Sequence, residues 1–216
     1  MKILITAGPT HEPIDPVRFI GNHSSGKMGI AIAEEFFKQG HNVILIKGAT
    51  HLNPTSEDIK QVKVETAAEM FGACSQYFSW ADVIVYAAAV ADYTPKYPSS
   101  IKIKKKEDEF SIELIKTKDI AAELAKQKAS HQTTVGFALE TNNELSNAKD
   151  KLSKKNFDFI VLNSMQDKGA GFQNDTNKIT ILDSKGNVIN FDLKPKTEVA
   201  KDIVNYVLKI RTNFHE

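Results

Sequence analysis

Only one cysteine, Cys74, occurs in 216 residues. That excludes an internal disulfide, and no Cys/His cluster at ligand spacing suggests zinc. Cys74 falls in a helical pattern with Ala67, Ala68, Met70, Phe71 and Phe78, so it reads as a small buried hydrophobe. An excess of one charge is also lacking. With 28 basic and 27 acidic residues there is no bulk attraction for nucleic acid or for a membrane surface, and neither is expected as a partner. No apolar run reaches membrane-spanning length, and Met1 leads directly into a strand without a signal-peptide pattern, so the expected location is cytoplasmic. Repeats and low-complexity linkers are absent, and residues 1–216 read as a single domain.

What is present is a 41% hydrophobic share, enough for a full core, arranged with a βα rhythm. Apolar runs at Ile3–Thr6, Val43–Ile46, Val83–Ala89, Val135–Leu139 and Phe159–Leu162 predict strands covered on both faces. Helical spacing predicts helices over Gly26–Lys38 (stopped by Gly40), Glu65–Phe78, Ile120–Lys128, Asn143–Lys155 and Thr197–Ile210. The expected fold class is therefore α/β and Rossmann-like: a mostly parallel sheet with helices on both faces. Two regions break the rhythm. Residues 91–116, with Pro95, Pro98 and a lysine run, read as an excursion that returns through a short strand over Phe110–Ile115. Residues 178–193 alternate as a C-terminal β-hairpin around Gly186 and Asn187.

Chemistry concentrates near the start. A strand, a proline-punctuated loop and Ser24-Ser25-Gly26 at a helix start form an anion site, because free backbone N–H groups and the helix dipole point there. Gly21–Met28 falls one residue short of the P-loop pattern G-x-x-x-x-G-K-[ST], since Met28 stands where a magnesium-binding hydroxyl is needed. The G-x-G-x-x-G of dinucleotide sites is missing, and the strand Val43–Ile46 ends in Lys47 and Gly48 rather than a ribose-binding acid.

Five segments taken together are more specific: ITAGPT-x-EPIDPVRFI-x-NHSSGKMG, AAAVADY, KIKK, GFALETN and KNFDFIVLN. In this order they resemble phosphopantothenoylcysteine synthetases of the bacterial CTP-dependent type, the C-terminal half of a bifunctional coenzyme A flavoprotein. The resemblance implies a two-step ligation. CTP and Mg2+ activate the carboxylate of 4'-phosphopantothenate as an acyl-cytidylate, and cysteine then forms the amide. It implies a homodimer, through the hairpin or the loop around Arg18, and no flavin in this part. The flavin-dependent decarboxylase would be a separate partner or another part of a longer chain.

The same resemblance implies roles for individual residues. Lys102 stabilises the triphosphate and the charge at the α-phosphate, and Asn22 holds the acyl-cytidylate. Arg18 binds an oxyanion of the pantothenate substrate, which suits its planar fork. Ser24, Ser25, Gly26, Ala87, Ala88, Ala89, Asp92, Asp119, Ile120, Phe137, Lys151 and Lys155 bind the nucleotide. No protein metal ligand is assigned, Mg2+ being held mainly by the triphosphate. Thr117-Lys118-Asp119-Ile120 keeps the last two places of the family's Asn-Pro-Asp-Ile. Without the resemblance, Lys102 reads as one of a solvated lysine run, Asn22 as a turn residue and Ala87–Ala89 as packing. On the same terms Phe137 reads as core, Lys151 and Lys155 as surface, and Asp119 as an N-cap. Two rivals to the ligase remain, an NAD(P)-linked oxidoreductase and a nucleotide-binding module without turnover.

Overall fold

The computed structural model describes residues 1–105, 109–140, 142–164, 171 and 174–212. Its strands are β1 (Lys2–Ala7), β2 (His11–Pro13), β3 (Phe19–Gly21), β4 (Asn42–Lys47), β5 (Lys60–Lys63), β6 (Val83–Tyr86) and β7 (Tyr93–Pro95). They continue with β8 (Leu114–Lys116), β9 (Thr133–Glu140), β10 (Phe159–Ser164), β11 (Thr176–Asn177), β12 (Ile179–Asp183), β13 (Val188–Asn190) and β14 (Lys194–Pro195). The helices are α1 (Lys27–Lys38), α2 (Ala67–Phe78), α3 (Ile120–Ala125), α4 (Glu144–Lys154) and α5 (Lys196–Thr212).

Eight strands make one sheet in the order β13-β12-β10-β9-β6-β1-β4-β5. The six from β5 to β10 run parallel, while β12 and β13 extend the sheet antiparallel. The parallel strands therefore follow the doubly wound order, with the reversal point between β1 and β6. Side-chain alternation sorts the core into two layers. Ile3, Ile5, Leu45, Val83 and Val161 face α1 and α5 on one side. Leu4, Ile44 and Ile84 meet Met70, Cys74 and Phe78 of α2 on the other, and Ile160 and Leu162 meet Ala148 and Leu152 of α4. Fully buried side chains such as Phe36 and Phe159 each contribute about 1.5–3 kcal/mol of transfer free energy.

Local signals account for the helix ends. The stop of α1 is a Schellman arrangement, in which Gly40 N–H donates to Phe37 O and His41 N–H to Phe36 O. A capping box joins Thr66 and Glu69 at the start of α2. Cys74 is buried, as its pattern implies.

Four features depart from the sequence reading. The strand expected over Val83–Ala89 ends at Tyr86, because Ala89 leaves the sheet to bridge Pro9, with Ala89 N–H donating to Gly8 O. β5 is an additional edge strand. A further hairpin, β2–β3, folds back after β1, with the His11 and Phe19 rings stacked at 3.6 Å. In the excursion the described residues pair as β7 with β8, continued by Lys96 N–H donating to Glu113 O at 2.9 Å, so the strand expected over Phe110–Ile115 begins only at Leu114. The C-terminal hairpin forms around Gly186 as expected, over the narrower span of β12 and β13.

Candidate active site

A cleft of about 720 Å³ opens at the carboxyl ends of β1, β6, β9 and β10. It lies where the sheet order reverses, the place at which open α/β sheets bind ligands. One wall is the start of α1. Its N-cap, Gly26, has φ 79° and provides no side-chain cap. Ser24 Oγ accepts from Gly26 N–H at 3.3 Å and Ser25 Oγ from Lys27 N–H at 3.5 Å. The helix thus starts with its dipole directed into the cleft, and the Ser24 and Ser25 hydroxyls reach its first N–H groups only at long range. A glycine is required at position 26, because a Cβ there would lie 3.1 Å from Gly8 Cα and from Gly8 N and would have to adopt positive φ.

The opposite wall is the stretch Ala87–Ala89, which bends at Ala88. Ala88 N–H donates to Thr6 Oγ1 (3.2 Å), and Ala91 N–H to Thr10 Oγ1 (3.0 Å). Asn22 Nδ2 donates to Ala89 O at 2.9 Å, which fixes the Asn22 amide across the mouth and leaves its second N–H for another acceptor.

The far end is built from charges. Asp119 caps α3 by accepting from Ala122 N–H at 3.1 Å and pairs with Lys155 Nζ at 2.9 Å. Burial raises its pKa, but the Lys155 ammonium and the Ala122 N–H outweigh that and hold the carboxyl below its ordinary value. Lys151, one helical turn before Lys155, is lowered by burial and by Lys155, with Glu140, Asp119 and Asp92 pulling the other way. The floor is aromatic. Gly136 has no side chain because the Phe157 ring occupies that space, 2.2 Å from where a Cβ would stand. Phe157 and Tyr86 rings lie 5.8 Å apart, and Phe137 lines the cleft above them.

Asn22, Ser24, Ser25, Gly26, Ala87, Ala88, Ala89, Asp92, Asp119, Ile120, Phe137, Lys151 and Lys155 all line this one cleft. Arg18 and Lys102 are not brought there. Arg18 is bound to Asp15 and to Ile103 O, and Lys102 is exposed on the excursion. Asp119 is both N-cap and cleft residue.

Sequence reasoning missed a cationic corner. Lys27 pairs with Asp175, and the buried Lys196 donates from Nζ to Gly171 O (3.0 Å) and Asn174 O (2.6 Å). Burial and then Lys27 lower the Lys196 pKa. Lys196 lies at the start of a helix far along the chain, and no local pattern marks it. Among the described residues no group of three His, Cys, Asp or Glu side chains is arranged to hold a metal ion, and no helix is long and apolar enough to cross a membrane.

Comparison with known proteins adds to this geometry. The profile of the DNA/pantothenate metabolism flavoprotein C-terminal domain matches residues 1–210. A cysteine/cysteine sulfinic acid decarboxylase from an unknown prokaryotic organism is 51% identical over 209 residues, 97% of this chain and 58% of that protein. The coenzyme A biosynthesis bifunctional protein CoaBC of Haemophilus influenzae is 44% identical over 209 residues, 97% of this chain and 52% of that protein. The chain thus spans about half the length of the curated relatives it matches. The crystal structure of the C-terminal domain of a CoaBC protein superposes with a TM-score of 0.82 at 42% identity, covering 98% of this chain and 96% of that one.

Proposed function

This chain belongs to the family of DNA/pantothenate metabolism flavoprotein C-terminal domains, and on that premise we propose that it is a phosphopantothenate–cysteine ligase that uses CTP. The observation that carries the reading is the single cleft in which the N-terminus of α1, the Asn22 amide and the Lys151/Lys155/Asp119 cluster meet. That arrangement suits a nucleotide lying along the cleft, with its phosphates at α1 and its base between Phe137 and the start of α3.

In the first step a carboxylate oxygen of 4'-phosphopantothenate attacks the α-phosphorus and pyrophosphate leaves. In the second, the cysteine amine attacks the acyl carbon, the C–O bond to CMP breaks, and the amine loses a proton to water. The α1 N–H groups, Lys27 and Lys196 receive polyphosphate charge, and the second Asn22 N–H stabilises oxygen at the reacting centre. In the same proposal Lys102, on the excursion, acts on the triphosphate and the charge at the α-phosphate, and Arg18, in the turn between β2 and β3, offers the guanidinium N–H groups not engaged by Asp15 and Ile103 to the substrate oxyanion.

The donor set fits a magnesium ion carried on the nucleotide. Asp92 offers a carboxylate, while Asp119 is already occupied by Lys155 and Ala122, too few hard oxygens for an all-protein cage. When bound, the ion would neutralise phosphate charge and be held mainly by the triphosphate itself. The proposal also takes the chain to be a homodimer. The exposed apolar side chains Val17, Phe19, Tyr97, Ile101, Leu114 and Ile115 gather on the two ribbons β2–β3 and β7–β8 and the excursion, and they supply a surface for a second copy.

The test is pyrophosphate release with 4'-phosphopantothenate, magnesium and either CTP or ATP, with and without cysteine, products being followed by mass. CTP-dependent release with a cysteine-dependent amide supports the ligase. Release with ATP alone would move base choice to Thr117–Ile120. Carbon dioxide from cysteine without pyrophosphate would favour the activity in the name of the 51% identical relative. Binding without products would favour the non-catalytic module.

A further inference from the structure

Asp15 is a charged residue buried to 3% exposure, outside the cleft. Its two oxygens have different partners. Oδ1 accepts from the backbone N–H groups of Val17 (2.8 Å) and Arg18 (2.9 Å), closing the turn that also joins Ile14 N–H to Arg18 O. Oδ2 accepts from Arg18 Nε (3.0 Å) and Nη2 (2.5 Å) and from Ile103 N–H (3.1 Å). Arg18 Nη2 in turn donates to Ile103 O at 2.7 Å. Both backbone polar groups of Ile103 are therefore held by one Asp–Arg pair, as a neighbouring strand would hold them. A second tie, Ser99 N–H to Ile14 O at 2.9 Å, docks the segment four residues earlier. Ile103 is half-buried against this clamp, while Lys102 and Lys104 on either side are exposed. The Arg18 guanidinium beside Asp15 holds its carboxyl well below the usual range.

We propose that Asp15 is a positioning residue: through Oδ2 and Arg18 it clamps Ile103 and so sets the register in which the excursion presents Lys102. The catalytic consequence rests on the ligase reading and on the role given there to Lys102; the clamp itself does not. The division of labour between the two oxygens supplies a clean probe. Asp15→Asn keeps an acceptor for the turn and removes the one that holds Arg18 and Ile103. Asp15→Ser keeps a turn-forming hydroxyl and has no second oxygen.

The experiment measures three things on wild type and both variants: pyrophosphate-release kinetics, nucleotide-binding stoichiometry by calorimetry, and trypsin cleavage after Lys102 and Lys104 by mass spectrometry. Both variants should lower kcat about tenfold with nucleotide-binding stoichiometry unchanged, as misplacement of one catalytic group does. Cleavage at those two lysines should quicken about tenfold, as local opening does, with circular dichroism unchanged. Wild-type kcat in the variants, a fall in binding stoichiometry that accounts for the lost rate, or unchanged cleavage would overturn the proposal. Should wild type release no pyrophosphate, the ligase reading fails, and the cleavage comparison alone decides whether Asp15 clamps the segment.

Discussion

The two ends of the cleft are made of different materials. At the α1 end the ligand meets backbone first: a helix N-terminus, a glycine at positive φ, and an alanine stretch pinned by Thr6 and Gly8, with Lys27 and Lys196 beside them. At the α3–α4 end it meets titratable side chains, with Asp119, Lys151 and Lys155 balancing one another. A backbone surface cannot be retuned by pH and tolerates almost no added atoms. A charge cluster tolerates substitution better and responds to protons. The first end is a fixed seat and the second an adjustable one.

Gly26→Val should have the largest effect. It forces a β-branched residue into the left-handed region, at about 1–2 kcal/mol, and against Gly8. We expect nucleotide affinity to fall about a hundredfold, with a lower melting temperature, checked by calorimetry and thermal unfolding. A tolerated valine would show that the seat is not fixed.

Asp119→Asn should weaken nucleotide binding about tenfold, or ~1.4 kcal/mol. The sign with pH follows from its lowered carboxyl. Its contribution is complete above the ordinary carboxyl value of 3.8 and is lost only as pH falls through the lower folded value. Any decline of wild-type affinity at mildly acid pH should therefore belong to the terminal phosphate of the nucleotide and persist in Asp119→Asn, and a decline there that Asp119→Asn abolishes would contradict the assignment.

Lys151 supplies a subtler test. Its pKa is lowered by burial and by Lys155, and a bound anion would raise it, so binding should take up protons and weaken as pH rises through the lowered value. Calorimetry in buffers of different ionisation enthalpy reads that uptake, which Lys151→Met should remove. The smallest effect marks a control: Thr66→Ala breaks the α2 capping box and should cost about 1 kcal/mol in stability with turnover unchanged.

The contrast between the two ends also explains what the sequence disclosed. The five central strands and five helices follow from period and caps. The α1 seat is legible because strand, loop and helix start are contiguous. The charged end unites Asp92, Asp119, Phe137 and Lys151 from separate segments, and only the family resemblance brought them together in advance. Lys196 had neither a local pattern nor a quoted motif. β2–β3 was hidden by two prolines and a charged loop, and it holds Glu12, a buried acid whose Oε1 accepts from Ala67 N–H at 2.8 Å. That tie joins the hairpin to the first turn of α2 and is visible only in three dimensions. β5 escaped because Lys-Gln-Val-Lys has one apolar residue in four.

That unpromising edge strand has a consequence of its own. An eight-stranded sheet has two rows of unpaired backbone groups, each a template for another chain. On one side the outermost strand is four residues long and carries an exposed lysine at each end. On the other it has three residues beyond the hairpin turn. Two such molecules meeting edge to edge would bring like charges together over a ladder too short to repay their desolvation. The residues that made β5 hard to recognise as a strand are the ones that keep the sheet from growing past its eighth member.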